Sequence, residues 1–112
     1  MSDCLFCKMV AGEIAPDVVY EDEQLLAFRD INPQAPVHIL IIPKDHVATL
    51  NALDDLELAG KLLLCAVDLA RQAGLSEQGY RTVINCNSAG GQDVFHLHVH
   101  LLGGRQMHWP PG

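Results

Sequence analysis

Basic residues are scarce in this chain. Lysine and arginine number seven against 14 aspartates and glutamates, leaving a formal net charge of −7. Such a surface cannot neutralise a long polyanion, so no long nucleic acid is expected as a partner. A mononucleotide stays open, because backbone N–H groups and one or two histidines can meet its few charges. No apolar run approaches the roughly 20 residues that cross a bilayer, so no membrane association is expected. Residues 1–12 lack the basic and apolar regions of a secretory leader, which places the expected location in the cytoplasm. Cys4, Cys7, Cys65 and Cys86 are then expected as thiols or metal ligands, not disulfides. Repeats, low-complexity tracts and linkers are also absent. At 112 residues, 49% apolar and 19% charged, the chain reads as one globular domain, residues 1–112, with one modest core.

Histidine is what the chain does have: six, three of them at alternate positions in Phe-His-Leu-His-Val-His-Leu-Leu-Gly-Gly, residues 95–104. Period-two alternation is that of a β-strand. It sends His96, His98 and His100 to one face and Phe95, Leu97, Val99 and Leu101 to the other. Side chains two apart on a strand lie about 6–7 Å from each other, close enough to share a small ligand. The plain reading is a half-buried edge strand. The two sharper ones are a metal site and a site where imidazole attacks or binds an anion. Just upstream, Gly90 and Gly91 allow positive φ and close backbone approach. Successive N–H groups in such a loop can form an anion-binding nest. A glycine pair running into three alternating histidines is far more specific than either alone.

The remaining elements follow from local signals. Residues 4–11 have the apolar spacing of a short helix closed by Gly12. Residues 18–20 and 25–28 read as a hairpin about an acidic turn, and residues 38–42 as a strand stopped by Pro43. Between them, residues 30–36 are a loop punctuated by Pro33 and Pro36. Asp54, with Glu57 three residues on, marks the start of a long helix that Gly74 ends. Leu56, Ala59, Leu63, Ala66, Val67 and Ala70 form an apolar stripe expected to face the core. Residues 80–86 and 95–102 complete five strands. The expected class is α+β, an antiparallel five-stranded sheet with one long and one short helix.

His96-Leu-His-Val-His100-Leu-Leu resembles the signature of the histidine triad (HIT) superfamily. The segments 27–36, 38–43, 90–92 and 102–112 resemble its Hint branch, the purine nucleoside phosphoramidases. The resemblance implies a HIT-like fold whose sheet continues across a homodimer. It also implies hydrolysis of the P–N bond of adenosine or guanosine 5′-monophosphoramidates through a nucleotidyl-histidine intermediate. By this resemblance His98 is the nucleophile, His100 binds the phosphate, and His96 and His38 orient His98 and relay protons. Asp30 holds the ribose hydroxyls, for which a two-oxygen acceptor is apt. Asn85, Gly91, Gln92 and Val94 match phosphate- and sugar-contacting positions, and Phe6, Phe28, Ile31 and Leu40 the walls around the base. Each of these apolar residues also reads as plain core, Asp30 as a turn cap, and His38 as a satisfied strand histidine. The tail with Trp109, the only tryptophan, is implied to lie near the partner's site.

Family members often carry serine directly after Gly-Gly-Gln, on the leaving-group side; here that residue is Asp93. An ionised carboxylate there repels phosphate, whereas a protonated one can donate to a leaving amine. The resemblance requires no cofactor for catalysis. Some relatives hold a structural zinc on a Cys-x-x-Cys pair plus two histidines. The matching set here is Cys4, Cys7, His46 and His96, chemically sound for zinc but also readable as packed thiols. A metal on His96 would take it out of proton relay. Three other functions stay open: a dinucleoside polyphosphate hydrolase of a sister branch, a metalloprotein binding a cation on the triad, and a non-catalytic nucleotide-binding or scaffold protein.

Overall fold

Alternation along the central strands divides the molecule into two packed layers on one sheet. The computed structural model describes residues 3–112. Its strands are β1 (Val18–Glu21), β2 (Leu25–Arg29), β3 (Val37–Pro43), β4 (Tyr80–Val83) and β5 (Val99–Gly103). All pairings are antiparallel, in the order β1-β2-β3-β5-β4. Ile39 and Ile41 of β3 join Val99 and Leu101 of β5 in a core roofed by α2 (Leu56–Gln72). Leu40 and Ile42 face the other way and pack with Phe28 and with Phe6 of α1 (Leu5–Val10). Both faces are covered at the sheet centre, so β2 and β3 are buried almost without interruption. His38, Leu40 and His100 share the α1 face, with Leu40 directly opposite His100.

Three expectations about elements need correction. The cap of α2 is Asp55, not Asp54: its carboxylate accepts from the N–H groups of Glu57 at 3.0 Å and Leu58 at 3.1 Å. The buried stripe of α2 is Leu58, Leu62, Cys65, Ala66, Leu69 and Ala70. Of the expected stripe only Ala66 and Ala70 are buried, while Leu56 is 90% and Leu63 48% exposed. The expected stripe is a second apolar flank, turned off the core by about one residue's rotation.

The last two strands are also shorter than expected. β4 stops at Val83, and β5 begins at Val99 instead of residue 95. Pro43 ends the neighbouring strand and has no N–H to extend a ladder. Its carbonyl instead accepts from the His96 ring at 2.8 Å, and the Leu97 N–H donates to the Val47 carbonyl at 2.7 Å. Residues 96–98 therefore keep the two-residue alternation without being strand. Phe95, expected in the core, is 49% exposed because it precedes that segment. Beyond α2, Gly74 adopts φ 76°, the left-handed stop its position implied. No helix among the described residues is long and apolar enough to cross a membrane.

Candidate functional site

Hydrogen bonds fix where the proton sits on each buried imidazole. His98 Nδ1 lies 2.7 Å from the His96 carbonyl oxygen. A carbonyl only accepts, so Nδ1 carries the hydrogen and the neutral ring keeps a free lone pair on Nε2. His38 Nδ1 accepts from the Gln34 N–H at 3.0 Å. Its proton is thus on Nε2, which donates to His100 Nδ1 at 2.9 Å and lies 3.4 Å from Asp30 Oδ2. His100, with Nδ1 accepting, must hold its proton on Nε2. That nitrogen is buried and unpartnered among the described residues. Burial holds the His100 ring down at about 4, with His98 and His38 adding to the effect and Asp30 opposing it. Burial also lowers His38, against the pull of Asp30. With both rings neutral, the tautomers put a lone pair on His98 Nε2 and a donor on His100 Nε2, with ring centroids 5.0 Å apart.

Both rings border a cavity of about 340 Å³. Phe6, Phe28, Leu40 and Ile31 line its apolar part, and Asp30, Asp93 and Val94 its rim with His98 and His100. Ile31 is 98% exposed, an aliphatic group held in solvent at the edge of a hollow. Asp30 does serve as a turn cap, its Oδ1 accepting from the Asn32 N–H at 2.9 Å. Asn85, Gly91 and Gln92 are not among the lining residues. The Gln92 side chain is spent within the chain: it accepts from Asn87 N–H and donates to the carbonyls of Ala48 and Val94. Trp109 is 82% exposed and away from this cavity.

The glycine pair is required, though not as a nest. A Cβ on Gly90 would lie 2.5 Å from the Cys86 carbonyl oxygen, and Gly91 has φ 81°. The Gly91 and Gln92 N–H groups donate to the carbonyls of Ser88 and Asn87, closing the loop on itself. Sequence reasoning missed the Gln34 amide and the Pro43 and His96 carbonyls, which set the tautomers of His38, His96 and His98. Backbone groups leave no residue-type signal, so nothing in the sequence could have marked them.

A second cluster abuts the first through His96. Donation from Nε2 to Pro43 turns the His96 Nδ1 lone pair toward Cys4 Sγ at 3.3 Å and Cys7 Sγ at 3.6 Å. His46 Nδ1 is 3.2 Å from Cys7 Sγ, and the four ligand atoms lie within 4.8 Å of one another. Tetrahedral zinc with bonds of about 2.0–2.3 Å separates its ligands by roughly 3.3–3.8 Å, so the set fits. Burial lowers His96 despite the Pro43 contact, favouring the neutral, ligating form. Asp30, His38 and His100 also crowd together, but they do not fit a metal. His38 Nδ1 is occupied by the Gln34 amide, so freeing Nε2 for a cation would require an imidazolate.

Comparisons with known proteins find close relatives along nearly the whole chain. A model of the HIT domain covers residues 11–107. A crystal structure of a HIT family hydrolase from Legionella pneumophila Philadelphia 1 superposes with a TM-score of 0.95 at 61% identity, covering 97% of this chain and 99% of that one. A 14 kDa zinc-binding protein of Zea mays is 56% identical over 115 residues, spanning 99% of this chain and 89% of its own. A protein of Arabidopsis thaliana named adenylylsulfatase HINT1 is 50% identical over 115 residues, 99% and 78% of the two chains.

Proposed function

The chain belongs to the HIT domain family, and from that premise we propose that it is a purine nucleoside phosphoramidase, hydrolysing the P–N bond of adenosine or guanosine 5′-monophosphoramidates. The carrying observation is the pairing of a free His98 Nε2 lone pair with the unpartnered His100 Nε2–H on one cavity. In the first step His98 Nε2 attacks the α-phosphorus. The P–N bond breaks, its electron pair stays on the amine nitrogen, and the amine leaves after taking a proton from solvent water. In the second step water attacks phosphorus and gives up a proton to solvent, the bond to Nε2 breaks, and the nucleoside monophosphate departs with His98 restored. While phosphorus is attached, the ring is cationic, and the His96 carbonyl dipole aimed at Nδ1–H stabilises it. His100 Nε2–H donates to a phosphoryl oxygen. The Gln34–His38–His100 relay keeps that hydrogen in place, and Asp30 accepts from the ribose hydroxyls. Phe6, Phe28, Leu40 and Ile31 enclose the base, which supplies binding without sequence-like readout of the purine.

Cys4, Cys7, His46 and His96 hold a structural zinc in this reading. The metal would tie α1 to the segments after β3 and before β5, and the His96 ring serves it instead of relaying protons. Four cysteines outside any disulfide suit a reducing, cytoplasmic setting. The relative named an adenylylsulfatase makes sulfate a second leaving group to compare. The test is turnover of a fluorogenic adenosine phosphoramidate beside adenylyl sulfate and diadenosine polyphosphates, with metal analysis on the same sample. Phosphoramidate is expected to have the highest kcat/KM. A higher value for diadenosine polyphosphates would assign the protein to a different reaction, and binding of AMP with no turnover of any would make it a non-catalytic binder.

A further inference from the structure

A second hollow opens beside the candidate site. It measures about 420 Å³ and is lined by Asp3, Cys4, Leu5, Asp93, Val94 and Phe95. Leu5, Asp93 and Val94 line the main cavity too, so the two spaces share a border. The nucleoside has its own walls on the Phe6, Phe28 and Leu40 side. A group that leaves phosphorus must extend away from those walls, and the adjoining space lies past Asp93.

The charge balance of the residues that line the two spaces is negative. Arg29 is the only cationic side chain among the described residues that line them, and it is paired with Asp17 at 3.2 Å. Asp3, Asp30 and Asp93 form no ion pair with a lysine or arginine among the described residues. A zinc ion on two thiolates and two neutral imidazoles sums to zero charge, so Cys4 adds no positive potential to the second hollow when loaded. Phe95, half exposed, lines the same hollow, and an aromatic ring attracts an ammonium group.

Resting on the phosphoramidase reading, the geometry points to Asp93 as the determinant of leaving-group charge: the enzyme selects nucleoside phosphoramidates whose amine carries a second, cationic group. A sulfate, phosphate or carboxylate leaving group would add negative charge where no unpaired lysine or arginine among the described residues lines the space. A diamine would set its far ammonium among Asp93, Asp3 and Phe95. Cationic leaving groups and anionic ones are therefore separated by a side chain that need not touch the reacting bond.

The experiment uses three adenosine 5′-phosphoramidates of equal chain length, made from butylamine, 1,4-diaminobutane and 4-aminobutanoate. Values of kcat/KM are measured for the full chain and for Asp93→Asn and Asp93→Ser, at low salt and in 0.5 M salt. The diamine compound is expected to exceed the carboxylate compound by about 10-fold or more at low salt. That ratio should fall several-fold in both variants and shrink in high salt. The ratio within each enzyme is the readout, so a general loss of turnover in a variant does not mimic the effect. Turnover of the butylamine compound with a diamine-to-carboxylate ratio near one, or a ratio unchanged in Asp93→Asn, overturns this inference alone. Failure to turn over all three compounds overturns the phosphoramidase reading and this inference with it.

Discussion

At the scale of the residue, the site is a matter of which nitrogen holds a hydrogen. His98 can act as a nucleophile because a carbonyl two residues before it claims its Nδ1–H. His98→Ala removes the attacking atom but leaves the cavity walls. It is expected to lower kcat by about 10³-fold or more while the protein stays folded and still binds AMP, measured by turnover and calorimetry. His100 supplies a pH signature. Its ring is held down at about 4, while an unfolded histidine titrates near 6.5. Between those values the unfolded chain binds the extra proton, so stability from this group is full above pH 6.5 and lost as pH falls toward 4. The melting temperature should drop over that window more steeply in the parent than in His100→Gln. Parallel curves would show that the buried imidazole does not control acid stability.

At the scale of the element, short-range chemistry placed the pieces, and long-range pairing set their ends. The cap of α2 shows the difference of one residue. Asp55→Ala should cost about 1 kcal/mol in chemical denaturation, and Asp54→Ala close to nothing, because only Asp55 accepts from the first turn. Helix α1 is only six residues long, too short to hold by itself. Its N-cap is Cys4, whose Sγ accepts from the Cys7 N–H at 3.3 Å, and both thiols turn to His96 and His46. The doubly substituted Cys4→Ser, Cys7→Ser protein is expected to lose bound zinc and about 5 °C or more of melting temperature, with a smaller proportional loss of turnover below its transition. No zinc in the parent and no change in melting would leave packed thiols.

At the scale of the whole molecule, one apolar surface has no cover within the chain. Lys61, Cys65 and Asp68 of α2 border Tyr20 and Leu25 on the β1–β2 side. The opposite flank of the helix, with Leu56 and Leu63, therefore looks toward the β4 side, where β4 ends the sheet with an open edge. Both features are expected of a sheet that continues into a second copy. The parent is expected to sediment as a dimer and the Leu56→Glu, Leu63→Glu protein as a monomer. Arg81 Nη2 donates to the His108 carbonyl at 2.9 Å and ties the tail to β4. Trp109 beyond it stays exposed, an anchor suited to a partner's surface. A parent that sediments as a monomer would refute this assembly.

The sequence by itself determined the class, the five strands, the two helices and the face on which the histidines gather. Periodicity is written in residue types, and His96, His98 and His100 keep their alternation even where the strand gives way. It also marked Cys4, Cys7, His46 and His96 as one metal-ligand set, through resemblance more than spacing. The tertiary structure alone decided three things. It set the tautomers, because the deciding partners are the Gln34 amide and the Pro43 and His96 carbonyls, which every residue type carries alike. It gave the Gln92 side chain a part in loop closure, because the Ala48 and Val94 carbonyls reach it only after folding. It turned the predicted core stripe of α2 outward, because a helix with two apolar flanks is oriented by the sheet it meets, and β3 and β5 take the flank that carries Leu62 and Leu69.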